Sequence, residues 1–330
     1  MNSTNSTLIK KRYDFSTVLN VMIASDSFVV ILGAVINVWL VAAILSSPEL
    51  RARFRNKIIV CLSVCFLTES LLRAPIELVV LTSYKKRRKG FGCLLMSVMA
   101  NIELLQDFIS NWYVVILVLV FVAQIKDINP RAKLQPLAIT IGTAVVLFLP
   151  WLLSLITIPS VMSSYSRVFV YNSTRYWSSC IYPTSESLLI FRSLDSAVPL
   201  LTTLVLMTLA VVFRRQRFRR GFSATGMRVE LISQGPAVDT LPAYIALVTT
   251  AILCNFIDVL LCFDVMVIAP WQRLYFMIAS NVVSDTRAYL MPLTWLLMPE
   301  IRDRLKTWRP WYRPGKGIDL TVSFDREQTA

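Results

Sequence analysis

Charged side chains recur at helical spacing inside otherwise apolar sequence. The chemistry they offer is ion pairing and charge recognition. Glu69, Arg73 and Glu77 stand at i, i+4 and i+8, so one helix face would carry acid, base and acid in turn. Glu103, Asp107 and Asn111 repeat that spacing, and Arg192, Asp195, Asp258, Asp264, Asp285 and Arg287 lie in other apolar stretches. A charge at the centre of a lipid-embedded helix costs roughly 2.5–3.5 kcal/mol on insertion scales, so each should turn towards the interior of a bundle. The chain has no histidine, which removes the commonest general base and metal ligand. No phosphate-cradling glycine motif occurs among its 9 glycines, and no metal-ligand cluster or internal repeat is visible. These residues suit a non-enzymatic binding protein with no cofactor and no metal.

The elements that must position them are membrane spans. Of 330 residues 55% are hydrophobic and 16% charged, with mean hydropathy +0.60, far from the composition of a soluble domain. Seven apolar stretches are each long enough to cross a bilayer: Met22–Leu45, Ile58–Thr82, Cys93–Ala123, Pro136–Ile158, Ser187–Phe213, Leu241–Ile268 and Leu274–Met298. Backbone polar groups in hydrocarbon must bond within their own segment, so the expected fold is all-α, a seven-helix bundle. It divides the chain into an extracellular segment 1–21, the bundle 22–298 and a cytoplasmic amphipathic helix with tail, 299–330. Residues 1–20 lack the apolar core of a signal peptide, so the first span is expected to serve as an uncleaved anchor.

Two marks orient the bundle with its N-terminus outside. The glycosylation sequons at Asn2, Asn5 and Asn172 all fall on one side of a seven-span layout. Lys and Arg concentrate on the other: Arg51, Arg53, Arg55 and Lys57 after span 1, Lys126, Arg131 and Lys133 after span 3, and Arg214–Arg220 after span 5. The formal charge of +14 is largely this face, which suits anionic lipid headgroups; no groove with interleaved aromatics suggests nucleic acid. Lys85–Lys89 dissents, because it falls on the outer side, either as a solvated loop or as an attractor for acidic ligands. Of six cysteines, Cys61, Cys65, Cys254 and Cys262 lie within spans and read as packing groups. Cys93 and Cys180 lie at the outer side, where a disulfide is the favoured reading.

The pattern resembles the rhodopsin-like G-protein-coupled receptors, whose seven helices carry the same bridge from span 3 to the second outer loop. Gly33 and Asn37 in span 1, Asn56 and Pro75 in span 2, Pro150 in span 4, Pro199 in span 5 and Met291–Pro292–Leu293–Thr294–Trp295 in span 7 match the family's marks in order and spacing. Pro299–Trp308 is similar to the amphipathic helix that lies along the inner surface in that family. Arg287, ahead of the span 7 proline, resembles fish-type odorant receptors. The chain departs from the family at its switch residues: Val122–Asp127 stands where Asp-Arg-Tyr is usual, and Cys254–Asn255–Phe256–Ile257 replaces CWxP.

The resemblance implies a multi-pass plasma-membrane receptor, chemosensory in type, that binds an extracellular small molecule or peptide. A heterotrimeric G protein and arrestin would be its partners. A non-signalling decoy or scavenger receptor, and a transporter, are the alternatives. In the family a sodium ion sits mid-bundle; here Phe66 occupies the span 2 place, with Asp107 and Arg287 at the span 3 and span 7 places. The Arg287 guanidinium is therefore expected to replace the ion, in an interior network with Asp107, Glu69 and Arg73. Arg192, Asp195, Asn255, Asp258, Asn281 and Asp285 fall in the ligand-binding region, where Ala100 replaces the family's amine-binding Asp. Acids outnumber bases there, leaving a cationic ligand or internal pairing with Arg73 or Arg192 as the ways to satisfy them.

Overall fold

A computed structural model describes the backbone of residues 17–85, 92–126, 135–164, 170–174, 177–181, 193–225, 237–262 and 270–307, and the side chains of most of them. Helix α1 (Thr17–Ser46) is followed by the short α2 (Pro48–Ala52) and by α3, which runs from Phe54–Thr68 through a π-helical turn, Glu69–Arg73, into Ala74–Lys85. Next come α4 (Gly92–Ile125) and α5 (Pro136–Ser164). An antiparallel hairpin of β1 (Val170–Thr174) and β2 (Trp177–Ile181) separates α5 from α6, a π-helical turn Ser193–Ala197 continuing as Val198–Thr225. Then α7 (Ala237–Cys262), α8 (Pro270–Asp285), α9 (Arg287–Thr294) and α10 (Pro299–Thr307) complete the described chain. The fold is thus nearly all helical, with the hairpin as its one departure from an all-α layout among the described residues.

Six described helices are long and apolar enough to cross a membrane: Thr17–Ser46, Phe54–Thr82, Ile102–Ile125, Leu137–Ile156, Leu194–Gln216 and Thr240–Ile257. Their outward faces are apolar, most visibly on α5, where Leu137, Ile141, Val145, Phe148, Leu152 and Ile156 are exposed. Such a continuous apolar exterior would aggregate in water and is matched by lipid. The stretch expected as a seventh single span is instead two helices, α8 and α9, meeting at Thr286. The Thr286 hydroxyl donates to the Val283 carbonyl at 2.6 Å, and the Thr286 amide bonds the same residue at 3.2 Å. This back-bonding tightens the turn into an i→i−3 pattern and interrupts the helix.

The helices close into a ring. Helix α1 packs on α3, α3 on α4, α4 on α5, α6 and α7, α7 on α8 and α9, and α9 returns to α1 and α3. Gly33 permits a close approach of α1 to α3 and α9, since a Cβ there would collide with the Ser70 hydroxyl and touch Ala288. The core runs down the middle through Ile58, Leu62, Phe66, Tyr113, Leu117, Phe121, Leu247 and Trp295.

Two prolines within the bundle each free a carbonyl, and in both cases an asparagine from another helix takes it. Pro292 has no N–H for the Ala288 carbonyl four residues earlier, and Asn37 Nδ2 donates to that oxygen at 2.8 Å. Pro199 stands in the same relation to Asp195, whose carbonyl receives Asn111 Nδ2 at 3.0 Å. Helix α10 follows a turn at Met298 with Pro299 in its first turn, buries Ile301 and Leu305, and exposes Arg302, Asp303 and Lys306.

Candidate functional site

The interior charges converge where α3, α4 and the α8–α9 junction meet. The π-helical turn of α3 places Glu69 and Arg73 at its two ends, with Glu77 one turn further, and all three are buried. Arg73 Nη1 donates to Glu77 Oε2 at 2.6 Å, and its Nη2 reaches Glu69 Oε1 at 3.3 Å and also Asp285 Oδ1. One guanidinium thus serves three carboxylates on two helices, using the fork geometry that distinguishes arginine from lysine.

A second guanidinium sits beside it. Arg287 Nη2 pairs directly with Asp107 of α4, and Arg287 Nε lies 3.6 Å from Glu69 Oε2, an ion pair too long for a hydrogen bond. Asp285 and Arg287 flank Thr286, so two residues of opposite charge pair with different partners, Arg73 and Asp107, on either side of the helix break. Glu69 bridges the two arginines and makes one network of Arg73, Glu77, Asp285, Arg287 and Asp107.

A neutral polar cluster lies between α4, α6 and α7. Asn255 Nδ2 donates to Asn111 Oδ1 at 3.2 Å and to the Ala251 carbonyl at 2.8 Å, while Asn111 holds the Asp195 carbonyl. Asn255 and Asp195 are both buried. Asp285, expected in the ligand region with internal pairing left open, is bound to Arg73. Asn281, one turn before Asp285 on α8, is exposed. Asp258 belongs to α7 and Arg192 precedes α6, but the Asp258 side chain and all of Arg192 lie outside what is described. Asn2 and Asn5 are outside it as well. Cys93 starts α4, Cys180 pairs with Tyr171 in the hairpin register and Asn172 with Ser179, their side chains not being described.

Two groups were not singled out by residue type and spacing. Asp26 of α1 is 1% exposed, with Oδ2 lacking a hydrogen-bond partner, and the charges around it are Glu77, Asp285, Arg73 and Glu103. A single acid inside the apolar run Met22–Leu45 was the available signal. At the opposite end of the bundle, Arg53 and Arg55 both grip Glu300 of α10. Beside that grip Tyr244 stacks on Phe121 at 4.2 Å and meets Trp295 edge-on at 5.9 Å, tying α7 to α4 and to the end of α9.

No protein-family model matches the chain, and no curated protein matches it.

Proposed function

We propose that the protein is a seven-span plasma-membrane receptor of the rhodopsin-like type, its N-terminus outside, with α8 and α9 together forming the seventh crossing. The observation that carries this reading is the closed ring in which α4 contacts α3, α5, α6 and α7 and pairs its Asp107 with Arg287. A helix so placed couples every other helix it touches, and a charge pair across the ring's centre gives a ligand something to bias. The hairpin between α5 and α6, the proline-bound asparagines and the amphipathic α10 agree with the same reading.

On this reading an extracellular small molecule or peptide of chemosensory type binds near Asp195, Asn111 and Asn255, and a heterotrimeric G protein meets the end carrying α2 and α10. The chain works by binding and transduction, without catalysis. The test is a ligand screen on the full chain, read by direct G-protein dissociation and by arrestin recruitment, with basal activity as control. Agonist-dependent dissociation that is lost in Asn255→Leu supports it. A decoy receptor is favoured by Val122–Asp127 at the end of α4, which lacks the arginine expected of a coupled receptor. Ligand uptake with no dissociation would select the decoy, and substrate flux in proteoliposomes would replace both with a transporter.

A further inference from the structure

Among the described residues the charge balance of the interior network is incomplete. Four buried carboxylates described there, Asp26, Glu69, Glu77 and Asp285, and the less buried Asp107 share two guanidiniums, Arg73 and Arg287. Isolated negative charge in a low-dielectric interior is far too costly to stand, so it must be neutralised in place. The shortfall is sharpest at Asp26. Its carboxylate is buried, Oδ2 has no hydrogen-bond partner, and of the four described charged groups that act on it three are acids: Glu77 of α3, Asp285 of α8 and Glu103 of α4, against Arg73 of α3. Arg73 is already shared among Glu69, Glu77 and Asp285.

We propose that Asp26, Glu77 and Asp285, gathered around Arg73, form a buried proton-binding site in which the Asp26 carboxyl takes the proton. The proton enters as the missing positive charge and leaves Asp26 as a neutral acid able to donate where Oδ2 now has no partner. A metal ion is the poorer occupant, because among the described residues no three acidic or other ligating side chains converge at metal-binding distance. An ammonium ligand is poorer still, since the Arg73 guanidinium fills the position between the carboxylates that it would take.

Occupancy has a structural consequence. Asp26 lies about two turns from Gly33, where α1 packs closely on Ser70 of α3 and Ala288 of α9. An ionised Asp26 would repel Glu77 and Asp285 and loosen that contact; a protonated one leaves it closed. The site stands on the charge of the bundle alone, whatever ligand or coupling the protein has.

The experiment is infrared difference spectroscopy on the full chain in phosphatidylcholine nanodiscs, without ligand or G protein, stepping pH in light and heavy water. Wild type is expected to show a protonated-carboxyl band that disappears on raising pH, is lost in Asp26→Asn and is kept at a displaced position in Asp26→Glu. The same band at full intensity in Asp26→Asn, or no band in wild type at any pH, overturns the proposal. Should Asp26→Asn fail to fold, Glu77→Gln and Asp285→Asn are read instead: each is expected to move the pH midpoint of the band, and unmoved midpoints in both refute the site. Melting in sodium against choline at equal ionic strength supplies the last arm. A sodium-dependent midpoint that vanishes in the Asp26 variants would make the occupant a metal ion and overturn the proton.

Discussion

At one end of the bundle a single carboxylate, Glu300, is held by two arginines, Arg53 and Arg55. In the middle a single arginine, Arg73, is held by three carboxylates. Both assemblies join elements distant in sequence, yet they solve different problems. The Glu300 assembly is partly open, with the Arg53 side chain 42% exposed, so its surplus positive charge is solvated or met by lipid headgroups. The Arg73 assembly is closed, and its surplus negative charge has no such outlet. Charge excess at the bundle's rim is a matter of location, whereas charge excess in its interior demands another occupant.

That contrast can be broken at several strengths. Arg73→Met should have the largest effect, about 3–5 kcal/mol or outright failure to fold, because three buried carboxylates lose their shared cation. Yield in the membrane fraction and melting of the solubilised chain read it, and adding Glu77→Gln should recover part of the loss. Arg287→Met comes next, at about 3 kcal/mol, with Asp107→Asn expected to restore stability; strict additivity of the two would deny that they act as a pair. Asn37→Ala should cost about 1–3 kcal/mol by leaving the Ala288 carbonyl without a donor. The same substitution made in a Pro292→Ala background should cost less, since residue 292 then supplies its own N–H. Arg53→Ala should be smallest, about 0–1 kcal/mol and screened by salt, as befits an exposed member of the clasp. A salt-insensitive loss of several kcal/mol there would erase the distinction between rim and interior.

Much of the interior network was legible in the sequence because helical period turns spacing into a face. Glu69, Arg73 and Glu77 had to share one, and apolar surroundings obliged them to find partners on other helices. Arg287 opposite Asp107 followed from the family resemblance plus the need of each charge for a counterpart. Asp26 stayed hidden because a lone acid has no periodic companion, and its significance depends on which helices pack beside it. The π-helical turns at Val29–Gly33, Glu69–Arg73 and Ser193–Ala197 leave no mark in composition. The break at Thr286 depends on one hydroxyl choosing the Val283 carbonyl, a local competition invisible to hydropathy.

The divided α8–α9 segment also bears on how the protein is made. It carries Asp285 and Arg287 near its middle, and neither half alone matches the length and apolar character of the six helices able to cross a membrane. Left to its own hydropathy, such a segment is a poor client for the translocation channel. By the time it leaves the ribosome, however, α3 and α4 have been synthesised, and they bear the arginine that fits Asp285 and the carboxylates that fit Arg287. If α8–α9 is the proposed seventh crossing, its entry into the bilayer becomes a docking event onto earlier helices, so substitutions in α3 would surface as errors in the topology of a helix synthesised some 200 residues later.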